Sequence, residues 1–169
     1  TRNHSSAASD VYKRQGLNYL SNDADGRDNI TLLALAQRWP LATYRSLFER
    51  AIHQADRLRG FIDKSEVDIR LILTSSDVVK LIDDRRKGGK LIGALLGTEG
   101  SHALDGEIPN VARLFDAGFR LMSLQHLFDN RLGGSLHGVE KAGLTDFGRR
   151  VVEEIEKRQI LLDISHSSE

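Results

Sequence analysis

Three residues of this chain combine a ligating side chain with a position just after an apolar segment: Glu99, His126 and His166. The segment 91–96 has no polar residue and reads as a strand buried on both faces, while 119–124 and 160–164 are short and strand-like. A carboxylate at the exit of such a strand must be met by a cation, a hydrogen-bond cluster or a metal, because leaving it buried and unpaired costs several kcal/mol. Gly97 and Gly100 flank Glu99 and leave room for a ligand to approach. In parallel α/β folds the carboxyl ends of the strands share one rim, so residues at successive strand exits converge in space. Carboxylate and imidazole donors without thiolate suit zinc, manganese or iron in a hydrolytic centre. The competing reading of Glu99 alone is a paired structural acid.

Composition bounds the rest. With 169 residues, of which 40% are hydrophobic, the chain can bury the core of one ordinary domain. Its 24 Lys plus Arg balance 24 Asp plus Glu, so it lacks the basic field that binding to a nucleic-acid backbone requires. No apolar run approaches the roughly 20 residues of a membrane span, and no charged-then-apolar leader opens the chain. The expectation is a soluble chain that leans to the cytoplasm, with export of a longer parent left open. Zero cysteines leave His, Asp and Glu as the only candidate metal ligands.

The elements that must position the three residues can be read in order. Residues 1–15 have neither helical nor strand periodicity, and 10–15 resembles the translation of a transposon end used in preparing DNA libraries. They are read as a non-native scar or disordered tail, with 16–169 as the folded part, so His4 carries no weight. Residues 16–29 read as loop; 30–38 suits a helix or a short strand closed by Trp39-Pro40, and is read as strand. From Thr43 a helix places Leu47, Phe48, Ala51, Ile52, Ala55, Leu58 and Phe61 on one stripe, with His53 off it and in solvent. Residues 68–74 read as strand, Ser75-Ser76-Asp77 as the cap of a helix, and Gly88-Gly89 as its end. Ile108-Pro109 starts the next helix, which Gly118 stops. A long glycine-rich loop runs to Gly143, and Thr145 caps a helix with Phe147, Val151, Val152 and Ile155 inside. Strand and helix thus alternate with short connections, the signature of a parallel sheet with right-handed crossovers. The sheet is either open and doubly wound or a closed eight-stranded barrel. No Gly-x-Gly-x-x-Gly follows a strand, so a dinucleotide site has no support.

Four blocks in this order carry a resemblance. They are Gly97-Thr98-Glu99-Gly100-Ser101-His102-Ala103-Leu104; Leu124-Gln125-His126 with Phe128-Asp129-Asn130; Gly143-Leu144-Thr145-Asp146-Phe147-Gly148; and Leu162-Asp163-Ile164-Ser165-His166-Ser167. Together they resemble the membrane (renal-type) dipeptidase family of metallopeptidases, its bacterial members best, from about Gly16 onward and most strongly from Gly93. The resemblance implies a (β/α)8 TIM barrel, here partial, with two metal ions, usually zinc, that hydrolyses dipeptides. It places Glu99 on the carboxylate bridging both metals and His166 on a histidine ligand of one of them. It places His126 on the histidine that contacts the substrate and its oxyanion. Two cations roughly 3.5–4 Å apart lower the pKa of a shared water and polarise a carbonyl, and an imidazole donor stabilises the oxyanion.

The family's first-strand His-x-Asp pair would fall just before Gly16, and its later metal histidine, substrate-binding arginine and catalytic aspartate beyond Glu169. The expectation is therefore the front-to-middle part of a barrel, with little catalysis by this chain alone. The rivals are another metal-dependent amide or lactone hydrolase on the same barrel, a non-catalytic barrel module that has lost its metals, and a partial barrel too open to fold stably. Among lesser candidates, His102 is read as orienting Glu99 or its loop, and His137 as an exposed loop histidine. Asp129 and Asn130 line the pocket or form an Asx turn, Asp163 is a structural acid, and 153–158 is a solvated helix face.

Overall fold

The computed structural model describes residues 34–169. The readings of 1–15 as a scar, of 16–29 as loop and of 30–33 as strand lie outside the described residues. Residues 34–36 are helical, which corrects the strand reading of 30–38 where it can be compared. Ala and Leu are strong helix formers, and the turn closes with Trp39 N–H donating to Ala34 O at 2.9 Å across a left-handed Arg38 (φ 54°).

A 3-10 turn at Leu41–Tyr44 leads into α1, Leu47–Lys64. Ser46 caps α1 by accepting from Glu49 N–H at 2.9 Å, and the Asp105 carboxylate reaches the same end from far along the chain. It accepts from Ser46 Oγ at 2.5 Å, Leu47 N–H at 3.2 Å and Phe48 N–H at 3.3 Å, a favourable place for negative charge at a helix N-terminus. Phe48, Ala51 and Ala55 are buried as the stripe requires, whereas Phe61 near the end of the helix is exposed. His53 is half-buried rather than solvated, its ring 5.0 Å from that of Trp39.

Strands and helices then alternate: β1 Ile69–Leu71, α2 Ser75–Arg86, β2 Ile92–Ala94, β3 Leu96–Thr98, α3 Pro109–Asp116, β4 Phe119–Ser123, α4 Asp146–Lys157 and β5 Leu161–Asp163. The cap of α2 is Thr74, one residue before the expected serines, because Thr74 and Asp77 satisfy each other's backbone N–H in a capping box. β1 pairs with β2, β3 with β4 and β4 with β5, all parallel. Since β2 and β3 are successive halves of one apolar run, each new strand is added on the same side of the one before it. A doubly wound sheet reverses that order at a switch point, whereas a barrel keeps it, and the chain is a partial (β/α)8 barrel.

The run 91–96 is not one strand buried on both faces. Leu91, Ala94 and Leu96 are buried, but Ile92 and Leu95 remain 40% and 41% exposed. The backbone leaves β1 at Leu95 and takes β4 as its next neighbour, so the two halves pair with different strands. A bulge follows: Leu96 lies opposite Phe119 and Gly97 opposite Leu121, leaving Arg120 unpaired. Its guanidinium turns back to the carbonyls of Leu73 at 2.9 Å and Phe115 at 2.7 Å and lies 3.8 Å above the Phe115 ring centroid. One core joins these layers, with Leu96, Phe119 and Met122 from the sheet packed on Phe48 and Ala55 of α1, Val111 and Leu114 of α3, and Val151 and Ile155 of α4. No helix among the described residues is long and apolar enough to cross a membrane.

Candidate metal centre

Because the strands are parallel, their carboxyl ends face one rim. Glu99 directly follows β3, while His126 and His166 each lie three residues beyond β4 and β5. Ser123 at the end of β4 fixes the first of these to the second. Its hydroxyl accepts from Gly100 N–H at 2.7 Å and its carbonyl from Ser101 Oγ at 2.6 Å, while Ser101 N–H donates to Leu124 O at 3.2 Å. Gly100 has a left-handed backbone (φ 79°), and a Cβ there would stand 3.0 Å from His102 Nδ1 and 3.1 Å from His126 Cβ. Glycine is therefore needed for both conformation and approach.

The three side chains meet. His126 Nε2 is 3.4 Å and His166 Nε2 3.7 Å from the same Glu99 Oε1. One donor atom from each of the three lies within 4.8 Å of the others, and the two imidazoles stand edge to face at 4.9 Å. Among the described residues the basic side chains within 4 Å of the Glu99 carboxylate are these two imidazoles, with no Lys or Arg. A carboxylate and two imidazoles at this spacing fit a divalent ion such as zinc. Burial pushes the His126 pKa down, and nearby His166 and His137 add to this against the opposing pull of Glu99, so the ring is neutral at pH 7.

His102 packs on Gly100, immediately after Glu99, which agrees with a role in shaping that loop. Burial, then the neighbouring His126, lowers its pKa below the ordinary 6.5. The unfolded chain therefore takes up a proton before the folded one as pH falls. Stability from this group is complete above about pH 6.5 and lost as pH drops toward the folded value. Metal-free His102→Gln is expected to lose less stability between pH 7.5 and 5.5 than the parent chain in urea titrations. Equal losses would place the His102 ring in a solvent-like setting.

A family model for membrane dipeptidase (peptidase family M19) matches residues 20–169. The chain belongs to the membrane dipeptidase family. It is similar to an uncharacterized dipeptidase of Schizosaccharomyces pombe, 26% identical over 121 residues that make up 69% of this chain and 28% of that protein. Among solved structures it resembles an amidohydrolase from Pseudomonas aeruginosa with a TM-score of 0.60 and 21% identity, covering 70% of this chain and 35% of the other. It also resembles a metallopeptidase from Rhodobacter sphaeroides, liganded with a phosphinate mimic of the dipeptide L-Ala-D-Ala, with a TM-score of 0.59 and 22% identity over 70% of this chain and 34% of that one. The chain thus spans about a third of the length of these proteins, and at such identities the structural likeness is one of fold.

Within this membrane dipeptidase segment the remaining candidates separate. Asn130 accepts from Leu132 N–H at 2.8 Å and Asp163 from Ser165 N–H at 2.8 Å, both Asx turns, so each has a structural use. His137 is exposed, as expected of a loop histidine, yet its ring lies 5.9 Å from that of His166. Ser135, which the sequence reading passed over, is fully buried beneath it and donates from Oγ to His126 O at 2.6 Å. The adjacent Gly133-Gly134 pair was the available signal, since a Cβ on Gly134 would stand 2.0 Å from Ala142 O.

Proposed function

We propose that this chain is the metal-binding front of a zinc-dependent dipeptidase, with Glu99 and His166 as metal ligands and His126 as the donor to the scissile carbonyl. The observation that carries this is the convergence of the three donor atoms within 4.8 Å at the exits of neighbouring parallel strands. The family and the metallopeptidase neighbours support it. Divalent cations held there would lower the pKa of a water and polarise the peptide carbonyl.

The chain's own residues supply the rest. Glu99 would hold the metal and brings the negative charge that draws cations to the rim, its Oε1 facing both imidazoles. His166 offers a lone pair from Nε2. His126, kept neutral chiefly by burial, retains one N–H that can donate to an oxygen as it gains charge. The chain alone offers few ligands and is assigned metal binding with little turnover; the small dipeptide is the substrate of the longer protein that contains it.

The test is hydrolysis by that full-length protein, zinc-reconstituted, on dipeptides such as L-Ala-D-Ala, tripeptides, N-acyl amino acids and lactones. Zinc-dependent cleavage confined to dipeptides is expected. Cleavage of the amides or lactones alone would move the reading to another hydrolase of the same barrel. A purified protein without zinc or hydrolysis would leave a non-catalytic module.

A further inference from the structure

Within the loop between β4 and α4, one side chain gathers the backbone of residues 135–141. Asp129 Oδ1 accepts from Ser135 N–H at 2.8 Å and Oδ2 from Glu140 N–H at 2.8 Å, and the N–H groups of Val139 and Lys141 also bond to it. Burial pulls this carboxyl upward, but the four backbone donors outweigh it and hold its pKa below the usual range. Gly138 is part of the same arrangement, because a Cβ there would fall 1.8 Å from Asp129 Oδ1.

The loop so folded reaches the main chain of both site histidines. Ser135 Oγ donates to His126 O at 2.6 Å, and Leu136 N–H donates to His166 O at 2.8 Å. An antiparallel bridge pairs Ser135 with Ser167, and Ser168 N–H donates to Gly134 O at 3.1 Å. His166 needs such a hold. Its φ of 65° is left-handed, a strained conformation for a residue with a Cβ that persists only where its surroundings fix it.

We propose that Asp129 is a positioning residue for this centre: its carboxylate folds the 129–141 loop into a clamp whose Ser135 hydroxyl and Leu136 N–H grip the carbonyls of His126 and His166 and set both imidazoles. The consequence for metal affinity rests on the assignment of His166 as a ligand; the clamp itself does not. Every group bonded to Asp129 is a donor, so the side chain must accept at both oxygens. An asparagine there would turn an NH2 group toward a backbone N–H.

The experiment follows the imidazole Cε1–H resonances of the metal-free 169-residue chain by NMR, and its zinc affinity by competition with a chromophoric chelator. Asp129→Asn is expected to shift the resonances of both His126 and His166, to leave that of His53 on α1 in place, and to weaken zinc binding about 10- to 100-fold. Ser135→Ala should shift His126 and spare His166, an asymmetry that general destabilisation would not produce. A folded Asp129→Asn chain with both resonances and zinc affinity unchanged would overturn the proposal. If Asp129→Asn does not fold, Ser135→Ala decides, and an unmoved His126 resonance overturns the clamp. A parent chain that binds no zinc sinks the metal reading instead, while the imidazole resonances still judge the clamp.

Discussion

Glu99→Gln is expected to weaken zinc binding by the chain at least about a hundredfold, and to lower kcat/KM of the full-length protein on dipeptides by about a thousandfold or more, equivalent to roughly 4 kcal/mol of lost transition-state stabilisation. The amide has nearly the shape of the carboxylate, so packing is kept while the charge goes. The cation would then meet an amide oxygen in place of a carboxylate, so an ion–dipole contact replaces an ion–ion contact in a partly buried setting. The oxygen that carries this charge lies 3.4 Å from His126 and 3.7 Å from His166, so the substitution removes the charge at the point where the three side chains meet. Zinc affinity by chelator competition and steady-state rates check the two parts separately. Affinity and rate both unchanged in a folded variant would return Glu99 to the role of a structural acid beside two histidines. Loss of the rate with affinity intact would assign it to the chemistry without metal ligation.

That Glu99, His126 and His166 converge was legible because each follows a short strand-like run, and the rim of a parallel sheet turns sequence order into proximity. The choice between barrel and doubly wound sheet was not legible from periodicity, since strand order is a property of pairing between distant segments. Leu95 shows the same limit on a smaller scale. An apolar run of six residues reads as one strand, and nothing local records that its halves have different neighbours. His53 was placed in solvent from its position off the α1 stripe, but Trp39 arrives from outside the helix to cover it. Asp105 likewise serves a helix that begins 58 residues earlier. The grip of Asp129 escaped for a different reason. A carboxylate that binds backbone N–H groups depends on loop dihedrals rather than on partner residue types, and the one residue whose identity it dictates is Gly138. The loop carries Gly133 and Gly134 because neighbouring backbone lies too close there for side chains.

The largest effect on stability is expected at Phe119. Its side chain is fully buried and stands where β4 begins, opposite Leu96 and just before the bulged Arg120. It belongs to the single core that the sheet shares with α1, α3 and α4. Truncation to alanine removes the ring from a site that cannot collapse easily, since the pairing of β4 with β3 on one side and β5 on the other fixes the backbone. The expected loss is about 3–5 kcal/mol, comparable with much of the total stability of an ordinary domain. Leu161→Ala on the neighbouring strand is the control. That side chain is 60% exposed, and the same chemistry there should change stability by less than about 1 kcal/mol. Urea titrations of the metal-free chain compare the two. The same variant bears on the site, because Ser123, which joins the Glu99 segment to β4, and His126 beyond it are carried by the strand that Phe119 anchors. Zinc affinity of Phe119→Ala should therefore fall with the folded fraction and recover when low temperature or a stabilising osmolyte restores it. Affinity that stays low in the refolded variant would mean that the rim senses the core directly, through the position of β4.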